Sequence, residues 1–346
     1  MRAPAAGRRP RPSEGPRVPA IATGSARHRR RHRGRRAVRR VRVGARGPPP
    51  QALIVIASLT RRALYALATS SEVESVVRAI PPARDLAYSA ARRYVAGVTL
   101  DDAIETVRRL TGAGLGVSLD LFGEGAADEE AVTRTVRGYR AAAAALADVD
   151  GDVNLEIVPS HLGLDLGLDV CRRHVEQLVE FLPAGSRLEI SAEESRRTPQ
   201  IMDLTVALAE AGAPVMATVQ ANLRRSPGDV ERLLAAGVPV RLVKGAYLES
   251  ADVAHAWGEP ATVAFVRLAH QVHAGGSAPV LATHDPVLRE ALLATVPGAG
   301  VELLLGVRED DAHALVARGV PVRIYAPYGD SWFRYWMRRV AESRGA

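Results

Sequence analysis

The chain has 346 residues, 47% apolar and 24% charged, which allows one large domain or two and a sizeable core. Its net charge of +8 is uneven: residues 1–50 hold 16 Arg and one acid, or +15, leaving 30 basic and 37 acidic residues, or −7, for the remainder. The single Cys171 excludes an intrachain disulfide and a thiol-rich metal site, and no apolar run reaches the roughly 18–20 residues of a membrane span.

Residues 1–50, densest in "RHRRRHRGRRAVRRVRVGARGPPP", have no hydrophobic periodicity and cannot bury enough surface to fold alone. Arg clusters bind phosphate. Without interleaved aromatics or an attached binding module, however, a nucleic-acid partner is not expected. The segment lacks the continuous apolar stretch of a secretory signal. It reads as a disordered extension, or as upstream sequence included by a wrong start. A cytoplasmic location is expected by default.

Residues 51–114 read as helices: "RRALYALATSSEVESVVRAI", "ARDLAYSAARRYVAG", and "LDDAIETVRRLTGAG" with Thr99 before it and acids in its first turn. From residue 115 short apolar runs alternate with amphipathic stretches. The runs are Gly116–Leu121, Val153–Val158, Leu188–Ala192, Val215–Gln220 and Val240–Val243, followed by Val280–Thr283, Val301–Leu305 and Val322–Tyr325. Eight strands alternating with helices predict an α/β fold, a (β/α)8 TIM-type barrel over residues 115–346. A doubly wound open sheet is the competitor and more often stops at five to seven strands.

In such a barrel, chemistry lies at the C-terminal ends of the strands. Polar residues gather there: Asp120 and Glu124 after the first run, Glu193, Glu194 and Ser195 after the third, and Gln220 ending the fourth. Lys244 and Tyr247 follow the fifth, and Thr283, His284 and Asp285 end the sixth. Each has a plainer reading. Asp120 and Glu124 could cap a helix, the Glu pair could be a solvated turn, and His284 could be a satisfied hydrogen-bonding residue. Gln220 is harder to set aside, because an amide ending an apolar strand needs a partner. The glycines of "GAGLG" precede a strand, where a dinucleotide fingerprint would follow one, so no Rossmann unit is assigned.

The final stretch, "YAPYGDSWFRYWMRRVAES", places Phe333, Trp336, Met337 and Val340 on an apolar helical stripe. Tyr335, Arg338, Arg339 and Glu342 repeat that spacing on roughly the opposite face. They form either a solvated face with an Arg338–Glu342 pair or, over a barrel mouth, a fork suited to a small carboxylate. Lys244 is the only lysine in the chain, in "VRLVKGAYLES". A chain that otherwise uses Arg has kept an ammonium at this point, where a compact charge on a flexible stem differs from a planar fork.

The segments "RLVKGAY" and "YAPYGDSWFRYWMRRVAE" carry a resemblance to the proline dehydrogenase family, with "LDLFGE", "VQANLRRS", "LATHD" and "ELLLGVR" as weaker matches in the right order. The resemblance implies a monofunctional bacterial-type flavoenzyme on a (β/α)8 barrel, with no fused second dehydrogenase domain. It would oxidise L-proline to 1-pyrroline-5-carboxylate with FAD and pass electrons to a quinone-type acceptor, peripherally at the inner membrane. Gln220, Arg241, Lys244, Gly245, Ala246, Thr283 and His284 would contact FAD. Arg338 and Arg339 would take the substrate carboxylate, Tyr247, Tyr325 and Tyr335 would wall its ring, and Glu342 would hold an Arg. Lys244, Tyr247 and Tyr325 are the candidate catalytic positions.

Two departures from the family stand out. Its strand-two Lys is replaced by Val158, or by Glu156 if a two-residue gap is allowed, and its strand-three Asp by Ser191. Asn222 also stands where a Tyr is usual. These changes leave hydroxyproline or another cyclic amino acid as an alternative substrate. A Schiff-base aldolase using Lys244 is the rival enzyme class.

Overall fold

A computed structural model describes residues 81–343 apart from Glu124. The Arg-rich segment and the helix expected from "RRALYALATSSEVESVVRAI" lie outside those residues, as do Glu124 and the side chain of Glu342. The chain divides into Met1–Pro49 and Pro50–Ala346, and the described residues belong to the second unit.

Eight parallel strands close into a barrel in sequence order. They are β1 (Gly116–Leu121), β2 (Val153–Ile157), β3 (Leu188–Ile190), β4 (Val215–Gln220), β5 (Val240–Val243), β6 (Val280–Ala282), β7 (Gly300–Leu304) and β8 (Val322–Tyr328). The expected (β/α)8 barrel is therefore the observed fold, and its competitor, the open sheet, is not formed. Closure comes from β8 against β1, where Ser118 aligns with Tyr325 and Asp120 with Pro327. The last apolar run was expected to stop at Tyr325. It continues through Pro327 because β1 lies alongside it, while the Pro327 carbonyl accepts the Ala96 N–H at 2.7 Å.

The helices are α1 (Pro81–Ala91), α2 (Leu100–Gly112), α3 (Glu129–Leu146), α4 (Leu168–Val179) and α5 (Thr198–Glu210). They continue as α6 (Ser226–Ala235), α7 (Glu259–Ala274), α8 (Pro286–Thr295), α9 (Glu309–Ala317) and α10 (Trp332–Ser343). Thr99 caps α2 in a reciprocal box with Asp102. Asp128 caps α3, accepting from Ala131 N–H at 2.8 Å, so Asp120 is not the cap that follows β1. Asp285 caps α8. Helix α10 buries Trp332 and Phe333 against Ala91 and Val95, with Trp336 and Met337 packed beside them. Phe333, Trp336 and Met337 of the expected apolar stripe thus pack beside α1, while the side chain of Val340 lies outside the described residues. Among the described residues no helix is long and apolar enough to cross a membrane.

Apolar packing lies mainly outside the sheet, between strands and helices, with Tyr139, Phe265 and Leu119 among the large fully buried side chains. Inside the sheet, where layers of Val, Ile and Leu are usual, the barrel is polar. Ser118, Asn154, Glu156, Glu189, Thr218, Arg241 and Glu302 are all buried. This layer forms the base on which the site stands.

Candidate active site

A cavity of about 940 Å³ opens at the C-terminal ends of the strands. Gln220, Arg241, Lys244, Gly245, Ala246, Tyr247, Thr283, His284, Tyr325, Tyr335, Arg338 and Arg339 all line it. These positions span β4, β5, β6, β8 and α10, and parallel closure brings them to one end of the barrel. Its volume is at the upper end of the range for ligand sites, enough for a large cofactor and a small substrate.

The floor is built around Arg241. Its guanidinium donates to Glu156 at 2.7 and 2.5 Å, Glu189 at 2.9 Å, Glu302 at 2.6 Å and Thr218 at 3.0 and 2.7 Å. Its donors are taken up within the protein, so a ligand above it would feel its charge more than its hydrogen bonds. Glu189 also accepts from Ser118 at 2.8 Å and Asn154 at 2.5 Å. Burial, with Arg241 opposing and the charges of Glu189 and Glu156 assisting, pushes Glu302 up to about 8. Burial, reinforced by the negative charge of Glu156, raises Asp120 well above the ordinary carboxyl range, against its hydrogen bond from the Tyr325 phenol at 2.5 Å.

The two strand departures meet in this floor. Ser191 donates its hydroxyl to Glu156, and Glu156 pairs with Arg241. Val158 and Glu156 both line the cavity. Glu156 is thus a buried, paired carboxylate, held where a lone charge would be costly.

Above the floor the polar residues have fixed partners. Gln220 donates its amide to the Glu193 backbone carbonyl at 2.8 Å. Glu193 is buried and accepts from Ser160 N–H at 2.8 Å, so it is a loop tie rather than part of a solvated turn. Ser195 donates its backbone N–H and hydroxyl to Glu249 at 2.7 and 2.6 Å, joining the loops after β3 and β5. Lys244 donates to Asp285 at 3.2 Å. His284 accepts the Leu304 N–H through Nε2 at 3.0 Å. Burial and the positive charge of Arg339 push His284 down to about 4, so at neutral pH its Nδ1 carries the proton as a donor.

On α10, Arg339 lies over the Tyr335 ring at 5.0 Å, and Tyr335 packs tilted against Phe122 and Tyr325. Arg334, Arg338 and Arg339 thus bring positive charge to one wall while Asp120, Glu156 and Glu302 line the floor. The sequence reading missed Glu189, Thr218 and Glu302 as members of the site. Their signal was a charged or hydroxyl residue in the middle of a short apolar run, as in "LEI", "MATV" and "VELLL".

A family model for proline dehydrogenase matches residues 103–346. The chain is 31% identical over 305 residues to the proline dehydrogenase of Deinococcus radiodurans, covering 84% of this chain and 96% of that protein. It is 30% identical over 260 residues to proline dehydrogenase 1 of Bacillus subtilis subsp. natto, covering 73% and 86% respectively. Among solved structures, proline utilization A from Bdellovibrio bacteriovorus, inactivated by N-propargylglycine, matches with a TM-score of 0.69 at 17% identity. That likeness of fold covers 85% of this chain and 37% of the larger one.

Proposed function

Because the chain belongs to the proline dehydrogenase family, we propose that it binds FAD and oxidises L-proline to 1-pyrroline-5-carboxylate, passing the electrons to a quinone-type acceptor. The enzyme is an oxidoreductase of the proline dehydrogenase type. One observation carries the finer reading: one cavity is lined by the α10 cations Arg334, Arg338 and Arg339, by Lys244 after β5, and by the floor carboxylates Asp120, Glu156 and Glu302. A zwitterionic amino acid fits between such surfaces with its carboxylate toward the arginines and its ammonium toward the floor.

The residues present fit a flavin. Gly245 has φ 104°, and a Cβ there would overlap the Asn222 amide, so only glycine lets the backbone take this path along the cavity. Thr283, the neutral His284 and the Gly245–Ala246 backbone would hold the cofactor, with the Lys244 ammonium nearby. Bound FAD supplies acceptance of a hydride, and the protein supplies orientation, charge and exclusion of water. Arg338 and Arg339 clamp the carboxylate, while Tyr247, Tyr325 and Tyr335 wall the ring. The Lys244 amine is engaged by the Asp285 carboxylate at 3.2 Å rather than presented to a carbonyl, which disfavours an imine-forming role.

The test is an absorbance spectrum of the purified protein before and after anaerobic addition of L-proline. A flavin band that bleaches supports cofactor and substrate together. A flavin band unmoved by proline but bleached by hydroxyproline transfers the reading to that substrate. Folded protein that takes up no flavin when FAD is supplied removes the cofactor assignment.

A further inference from the structure

The cavity floor contains two carboxylates with an oxygen that finds no hydrogen-bond partner among the described residues, Asp120 Oδ1 and Glu302 Oε2. Their residues are 4% and 3% exposed. Leaving a buried acceptor without a donor is costly, so such an atom calls for a donor or a proton. The two acids differ at their other oxygen. Glu302 Oε1 is fixed to the Arg241 guanidinium at 2.6 Å. Asp120 Oδ2 accepts from the neutral Tyr325 phenol, which pins the carboxyl without neutralising it.

The groups facing Asp120 are Glu156 from β2, Glu189 from β3, Arg241 from β5, Tyr325 and Tyr328 from β8, and Tyr139 from α3. Arg241 is the cation among them, and it is already engaged by three glutamates. An added proton at Asp120 therefore relieves repulsion in the floor rather than breaking an ion pair. The same surroundings make this carboxylate a stronger base than an exposed aspartate.

We propose that Asp120 is the acceptor for the proton on the ring nitrogen of a bound cyclic amino acid, with Tyr325 as its positioning residue. The proposal rests on the functional reading above. A secondary ammonium has no free electron pair, so its neighbouring carbon cannot give up a hydride until the nitrogen is deprotonated. In the proposed step one N–H bond breaks, its electron pair stays on nitrogen, and the proton forms an O–H bond at Asp120 Oδ1. The substrate is left as the neutral amine with its carboxylate still on Arg338 and Arg339. Glu302, tied to Arg241, keeps the floor in place and takes no proton from the substrate.

The test compares wild type, Asp120→Asn and Tyr325→Phe as flavin-loaded full-length chains, reading kcat/KM for L-proline against pH. Asp120→Asn is expected to lose at least about 100-fold at neutral pH. Its residual rate should climb about tenfold per pH unit into the alkaline range, because only free amine then reacts. Tyr325→Phe keeps the base, so the acid limb of the profile shifts instead of disappearing. A readout independent of turnover uses protein reduced beforehand with dithionite. Adding proline should then produce a protonated-carboxyl band in the infrared difference spectrum of wild type, absent in Asp120→Asn. Loss under threefold with the wild-type profile, or the same infrared band in Asp120→Asn, overturns the proposal while leaving proline oxidation intact. A wild-type flavin that proline does not reduce overturns the functional reading, and the proposal falls with it.

Discussion

Glu302 shows how the buried floor ties stability to pH. Its folded pKa of about 8 lies above its ordinary 4.5, so the folded protein keeps a proton that the unfolded chain releases. Its contribution is fully present below about pH 4.5 and is lost as pH rises toward and through about 8. Glu302→Gln is neutral throughout and retains one acceptor for Arg241. Denaturant midpoints measured across that window should therefore fall less steeply in the variant than in wild type, and parallel slopes would contradict the assignment. At this scale the sequence was only partly legible. Arg241 stood out through "RLVKGAY", yet a linear sequence does not say that its guanidinium turns inward to three glutamates on β2, β3 and β7. That fact needs closure of the sheet. Asp120 was visible at a strand end, but its Tyr325 partner comes from 205 residues away.

Elements were read more fully than contacts. All eight strands were visible as apolar runs because each is buried on its outer face by helices, and alternation with amphipathic helices identified the barrel. Ends were less legible: β3 stops at Ile190 and β6 at Ala282, where the chain leaves the sheet to line the cavity. The turn after β5 is the sharpest such departure. Gly245 adopts φ 104° beside the Asn222 amide, and the Asn222 N–H donates to the Lys244 carbonyl at 3.1 Å, so β4 and β5 hold this turn jointly. Gly245→Ala faces both a backbone conformation costly for an L-residue, about 1–3 kcal/mol, and overlap with Asn222. Flavin content per folded chain should drop severalfold, with a lower melting temperature. Adding Asn222→Ala removes the overlap but not the φ cost, so the double variant should recover only part of the loss. Full recovery would mean that crowding alone makes glycine necessary there.

At the scale of the whole molecule, charge separates the chain into two parts. Residues 1–50 carry +15 and the other 296 carry −7, so the basic character of the protein resides outside the barrel. Every group used in the proposed chemistry lies between Asp120 and Arg339, and the compact division falls at Pro49–Pro50. Deleting residues 1–50 should therefore leave flavin content and the rate of reduction by proline within about twofold, a difference of less than about 0.5 kcal/mol. Any retention of the full-length chain by a DNA fragment should weaken steeply with salt and vanish in the truncated chain, whose net charge is negative. The two readouts separate the roles of the segments. Loss of flavin reduction on deletion would make the basic segment part of the enzyme, whereas DNA retention surviving deletion would place a cationic binding surface on the barrel itself.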